Sequence, residues 1–444
     1  MRRAIAVVVG ACAVVALVDV AGAAIRPTEA ENLAPVFSRH QVAAPERTTE
    51  AMVRPAALPS SRAEADPAPS APTDPPRRIR VGAVESVERA IGYAGGERST
   101  VFRYPGARYV KVHFNRLLLL PGDHVTVADP TGAEVHRIDG DPVRGVAELA
   151  DTAVRGAPLA RWAMSVSGDT AVVTLHRARP ELPVLGAALA RLGVGIDKVA
   201  RGLTDAERDR ASEPAGPGRE ESVCGGDDAV DAVCYRSAHP VAYQRSRAVA
   251  RILINGTEFC TAWRIGDQNR MLTNNHCLSS AADAADTEVW FDHRCVVCGG
   301  DDVTRATKVW GHRVLSTDRD LDYTLFTVGD FAAVRPYGYL ELDPRRPARG
   351  EELYIPQHPG GDPMVIAMGS DRDRSGICAV RDPAYDGYRR GSDVSYLCDT
   401  AGGSSGSPVI SRVTNRVIAL HHFGGCPNSG VRVDLIYPRI RHLL

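Results

Sequence analysis

Nine of the ten cysteines fall between Cys224 and Cys426, and the tenth, Cys12, sits in an apolar stretch at the N-terminus. This clustering leaves two outcomes for the second half of the chain: a disulfide-stapled domain of an oxidising compartment, or a metal site. The N-terminus favours the first. Residues 1–24 read as an export signal, with Arg2 and Arg3, an apolar run from Ala4 to Val18 and small residues from Ala21 to Ala24. Asp19 interrupts the run short of the ~20 residues that span a bilayer. The expectation is a secreted chain with no stable membrane insertion. A periplasmic or lipoprotein form is the alternative, from the loose match at Val9-Gly10-Ala11-Cys12.

With 444 residues, the chain has room for two or three domains, each with its own core. Its 53 basic and 54 acidic side chains nearly cancel, which excludes a chain-wide basic footprint for nucleic acid. Aromatics at 6% are too few for a stacking platform on single strands. Lys111, Lys198 and Lys308 are the only lysines; every other basic residue is arginine.

Residues 25–78 are rich in Pro and Ala and read as a disordered linker. From Ile79 to about Ala178 the apolar period becomes two. Val110, Val112 and Phe114 alternate with Lys111 and His113, and turns at Pro121-Gly122-Asp123 and Pro130-Thr131-Gly132 separate further short strands. This predicts a small β-sandwich over 79–178, taken as a pro-domain, with a carbohydrate- or substrate-binding module as the sharper alternative. Over 179–222, Leu185, Leu189, Leu192, Ile196 and Val199 approach a helical period. Thr204 and Glu207 have capping-box spacing for a second short helix. The polar stretch Glu213–Glu221 is the expected processing site. The last domain, 223–444, reads as short strands.

Chemistry concentrates in three segments of that domain. In Asp399-Thr-Ala-Gly-Gly-Ser-Ser-Gly-Ser-Pro408, a glycine-rich turn surrounds Ser405. A serine hydroxyl becomes a useful nucleophile only with a base to take its proton and donors for the developing oxyanion. The amides of Gly403 and Ser405 are candidates for those donors. Alone, the stretch is also what a flexible Gly/Ser loop looks like. The second segment, Met271-Leu-Thr-Asn-Asn-His276-Cys277, closes an apolar strand on a histidine bracketed by cysteines, a rigid setting suited to a general base. In the third, Asp320-Leu-Asp322-Tyr-Thr-Leu-Phe326, a buried Asp322 would fix the histidine tautomer.

The order His276, Asp322, Ser405 and these motifs resemble the chymotrypsin-like serine peptidases, and most closely the bacterial lysyl endopeptidase group. The likeness covers about Ser222 onward. It includes two cysteines about ten residues apart, Cys224 and Cys234, the His358-Pro359 step and the stretch Leu420-His-His-Phe-Gly-Gly-Cys426. The resemblance implies two antiparallel β-barrels with the site between them, an N-terminal pro-region, and disulfides Cys224–Cys426, Cys234–Cys295 and Cys260–Cys277. Cys378 and Cys398 are expected to pair, leaving Cys298 over. Ser404 precedes the nucleophile where trypsin has the aspartate of its activation switch, so a Cys224–Cys426 bridge would tether the N-terminal segment instead. Cys295-Val-Val-Cys298 with His293 and His312 fits no standard zinc spacing, and no metal or other cofactor is expected.

Specificity is carried by less. Asp399 holds the position at which trypsin keeps its pocket aspartate, which would favour Lys or Arg at P1. The lysyl endopeptidases keep theirs in a loop here shortened to Pro427-Asn428-Ser429-Gly430. Glutamyl endopeptidases are similar in a pocket histidine and threonine, matched by His421 and Thr400; Phe423 and Gly424 complete the expected substrate contacts. The sequence expectation is therefore a mostly β, monomeric, secreted serine endopeptidase acting on proteins or peptides, with basic P1 preferred and acidic P1 the alternative. A protease-scaffold adhesion protein working through the sandwich is the rival from another class.

Overall fold

The computed structural model describes residues 78–93, 97–140, 161–178, 192–211 and 222–444. The expected export signal, the linker up to residue 77 and the Glu213–Glu221 stretch lie outside them. Arg78, assigned to the linker, is described and engaged.

Two sheets form the N-terminal sandwich. One orders Gly82–Gly92, Gly193–Gly202 and Tyr109–Leu118, with the short strands Arg161–Trp162 and Val166–Ser167 along the far edge of the last. The other orders Ser99–Arg103, Thr170–His176, His124–Ala128 and Val135–Asp139. Val110, Val112 and Phe114 meet Val125, Val127, Val173 and Leu175 between them, as the period-two pattern requires.

The helix expected through Ile196 and Val199 is instead the strand Gly193–Gly202, central in its sheet; Leu185 and Leu189 lie outside the described residues. A register shift between Ile196 and Lys198 is the reason. The bulge lets Ile196 and Val199, three apart, both reach the core. The sandwich accordingly runs from Gly82 to Gly202 rather than 79–178, while Ile79–Arg80 leaves it to pair with the strand Glu258–Arg264. The short helix Asp205–Ala211 follows, its start fixed by Thr204 N–H donating to Glu207 Oε2 (2.9 Å) and Glu207 N–H to Thr204 Oγ1 (3.3 Å).

Residues from Val230 onward make two barrels. In the first, Val249–Ile254, Glu258–Arg264, Met271–Thr273, Tyr323–Val328, Thr307–Asp318 and Glu288–Phe291 pair in a closed ring. The second is an eight-stranded sheet running from Val230–Asp231 through Leu353–Gln357, Pro408–Ser411, Val417–Phe423 and Asn428–Arg432 to Val380–Tyr385. A bridge between Glu352 and Ala379 draws it back on itself. Trp263, Leu272 and Tyr323 of the first barrel share a core with Tyr354, Ile410, Leu420 and Ile436 of the second. The fold is mostly β, with the double barrel expected.

The disulfides are Cys224–Cys426, Cys260–Cys277, Cys378–Cys398 and Cys234–Cys298. The last corrects the expected Cys234–Cys295 pair and the expected spare thiol at Cys298. A tight turn in which Gly300 N–H donates to the Val297 carbonyl swings Cys298 to within 4.9 Å (Cα–Cα) of Cys234. Cys295, fixed by its bridge to Val303, turns its sulfur to Asp231 Oδ1 at 3.4 Å and stays a buried thiol.

The sandwich is joined to the first barrel by a buried polar network. Lys111 Nζ lies 2.7 Å from Glu288 Oε1, and Glu288 Oε2 accepts from Ser165 Oγ (2.7 Å) and Trp290 Nε1 (2.9 Å). Lys308 Nζ reaches back to Glu134 at 2.6 Å. Val81 and Tyr109 pack beside it on Leu253, Phe259 and Trp290. No helix among the described residues is long and apolar enough to cross a membrane.

Candidate active site

The strand Met271–Thr273 delivers Asn274 and His276 to the seam between the barrels, and the Cys260–Cys277 bridge ties the end of that segment to the neighbouring strand. Across from it, Asp322 occupies a tight turn with φ of 42°, left-handed for a non-glycine, before the strand Tyr323–Val328. That turn aims the carboxylate at the histidine. Asp322 Oδ1 accepts the His276 backbone N–H at 2.9 Å, and Oδ2 lies 2.7 Å from His276 Nδ1. Asn274 Nδ2 donates to the Asp322 carbonyl at 2.8 Å, closing the same unit. With Nδ1 toward the carboxylate, Nε2 is the ring nitrogen left to exchange a proton.

Ser405 is buried in consecutive turns, Ser404 N–H to the Ala401 carbonyl and Ser407 N–H to the Ser404 carbonyl, both 2.9 Å. Thr261 N–H holds the Ser405 carbonyl at 2.8 Å, and Thr261 Oγ1 donates to Gly403 O at 2.9 Å. Two glycines are demanded here. Gly403 has φ of 100°, and at Gly406, with φ of 90°, a Cβ would stand 2.1 Å from the Thr261 carbonyl.

A second histidine, overlooked by the sequence reading in favour of its neighbour His421, completes the arrangement. His422 Nδ1 lies 3.1 Å from Asp322 Oδ2, and its Nε2 lies 2.7 Å from Asp393 Oδ2. Burial alone would lower this imidazole, but the Asp393 and Asp322 carboxylates outweigh it and hold the group up at about 9. Burial would likewise raise Asp322, yet His276 and His422 keep it far below the usual carboxylate range. The signal available in sequence was only the doubled histidine.

The expected pocket residues separate. Asp399 turns both oxygens to backbone donors, Oδ1 to Cys224 N–H (2.8 Å) and Oδ2 to Asp228 N–H (2.7 Å), and burial raises its pKa. Asn428 clamps the same N-terminal segment through Ser222. His421 is buried with Nδ1 2.7 Å from the Tyr396 hydroxyl, and burial pushes it down to about 3, so it is neutral at ordinary pH. Thr400 is buried, and its hydroxyl has no hydrogen bond among the described residues. Phe423 is buried, packed on Tyr388 at 4.9 Å, and Gly424 follows it. The sulfurs beside His276, of Cys260 and Cys277, are joined to each other and offer no thiolate to a metal.

Residues 260–420 match the family described as the trypsin-like peptidase domain, the stretch that holds His276, Asp322 and Ser405. Two curated proteins are similar in sequence. One is the Secreted RxLR effector protein 73 of Plasmopara viticola, 38% identical over 222 residues, which are 48% of this chain and 54% of that protein. The other is the Uncharacterized protein y4fB of Sinorhizobium fredii, 30% identical over 194 residues, 40% of this chain and 28% of that protein. The chain thus spans about half the length of the first and under a third of the second. Among solved structures, a Glu endopeptidase in complex with MPD aligns at 17% identity and a TM-score of 0.37 over 50% of this chain and 100% of its own. The Rv3671c protease of M. tuberculosis in its inactive form aligns at 16% and 0.34, over 47% and 94%. What the chain shares with that family is thus a stretch of the double barrel, residues 260–420, that matches a trypsin-like peptidase domain.

Proposed function

We propose that the chain is a secreted serine endopeptidase working through Ser405 as nucleophile, His276 as general base and acid, and Asp322 as the group that orients and stabilises the imidazolium. The observation that carries the reading is the Asp322 carboxylate gripping His276 at both its backbone N–H and Nδ1, opposite a turn built around a buried Ser405. His276 Nε2 takes the Ser405 proton as Oγ attacks the scissile carbonyl. The N–H groups of Gly403 and Ser405 receive the oxyanion, and the same imidazole protonates the leaving amine. Water then repeats the sequence on the acyl-enzyme. Secretion is supported by the apolar N-terminal stretch, the four disulfides and the printed name of the Plasmopara relative.

For P1, the basic preference rested on a carboxylate that now has an N–H on each oxygen. The reading supported better is an acidic P1, with the Thr400 hydroxyl, which has no hydrogen bond among the described residues, and the neutral imidazole of His421 as its polar contacts. Hydrolysis of a P1-varied peptide panel, with Ser405→Ala alongside, tests both levels. Glu-selective cleavage that drops about tenfold or more in Thr400→Val supports the assignment. Selective Lys/Arg cleavage abolished by Asp399→Ser overturns it. Peptidase activity surviving in Ser405→Ala would overturn the triad.

A further inference from the structure

The strand Ile79–Arg80 does not belong to the sandwich that follows it. It adds to the open edge of the barrel strand Glu258–Arg264, antiparallel, with Arg80 opposite Glu258 and Ile79 opposite Phe259. The next barrel residue is Cys260, bridged to the neighbour of His276, and the one after, Thr261, holds the Ser405 carbonyl. Chain number therefore falls as this strand approaches the nucleophile. The side chains agree with the register. A Cβ on Gly402 would meet Ile79 Cδ1 at 3.1 Å and one on Gly403 would meet Ile79 Cγ2 at 3.3 Å, so Ile79 lies against the turn that carries the oxyanion donors. Arg78 Nε donates to the His276 carbonyl at 2.9 Å, and its Nη1 lies 2.8 Å from Glu258 Oε2, both side chains partly buried.

A peptide substrate is bound by adding a strand to such an edge, and the residues after its scissile bond would run along this one. We propose that Glu258 and the His276 carbonyl form a primed-side subsite for an arginine or lysine side chain, and that Arg78 fills it in the uncleaved chain as a built-in competitor. The proposal rests on the peptidase reading above. Its chemistry is charge matching at a carboxylate with a second acceptor fixed by the backbone, which suits a guanidinium's several donors. Until residues 78–80 are displaced, primed-side residues of a substrate have no edge on which to pair.

The test uses the full chain with Arg78→Glu, Glu258→Arg and the double variant. Internally quenched peptides carry Arg, Ala or Glu just after the scissile bond, and a fluorophosphonate reports Ser405. Each single variant is expected to raise kcat/KM on the Ala peptide about fivefold, a scale set by one partly exposed ion pair, and the double variant is expected to return it toward the parent. In Arg78→Glu, the Arg peptide is cleaved about tenfold faster than the Glu peptide, and Glu258→Arg reverses that order. A fluorophosphonate-reactive Arg78→Glu chain with unchanged kcat/KM and no primed-side preference overturns the proposal even if Glu258→Arg fails to fold. No labelling in any form overturns the peptidase reading as well.

Discussion

Two carboxylates, Asp322 and Asp393, share the imidazole of His422, and their spacing governs how the site responds to pH. His422 is held at about 9 against an ordinary 6.5, so its stabilising contribution is complete below about pH 6.5 and is lost as pH rises through about 9. A melting-temperature series should fall between pH 7 and 10. His422→Gln should melt lower throughout and decline less over that window. Asp322 works in the opposite direction: its pKa is depressed, so its contribution is present above the ordinary carboxylate range and disappears only in strong acid. Asp322→Asn should lower kcat by about 10⁴ by permitting the wrong His276 tautomer, measured on the preferred peptide. The His276–Asp322 contact and the turn around Ser405 were legible because each of these residues sits in a short local motif. His422 and Asp393 were not, since they meet partners 100 and 29 residues away and nothing local marks either.

At the scale of elements, the double barrel was implied by the resemblance that the three motifs carry, whereas Gly193–Gly202 was misread as helical. Its bulge gives apolar residues a separation of three without any helix, and a period count alone does not distinguish the two. The cysteine error has the same origin, because a turn of three or four residues decides which of two near neighbours faces Cys234. Cys298→Ser should cost about 4 kcal/mol by opening a loop of 64 residues, while Cys295→Ser should change stability by under about 1 kcal/mol. Denaturant melts without reductant would separate them. Gly406→Ala should lower activity by about a hundredfold or more, because its Cβ cannot coexist with the Thr261 carbonyl and Ser405 must shift.

For the whole molecule, the period-two pattern announced a sandwich but not that its second face is also covered. Lys111 and His113, the polar half of the alternation, are buried, and Lys111 ends on a carboxylate of the barrel. A pro-domain that simply departs would leave Glu288 stripped of Lys111 and Ser165. The network suits a sandwich that stays attached after any cut. Glu288→Ala should destabilise the molecule by about 3–5 kcal/mol, since it leaves Lys111 uncompensated. Calorimetry should show one shared transition for sandwich and barrels in the parent and a lower one in the variant.

The same network empties the surface of primary amines. Of the three lysines, Lys111 and Lys308 are enclosed between sandwich and barrel, and Lys198 alone stands in solvent. An amine-acylating reagent applied to the native protein should therefore mark Lys198 and the chain's own terminal amine. Labels on Lys111 and Lys308 would accumulate only as the two parts come away from each other, so mass spectrometry of those two peptides would serve as a clock for their separation.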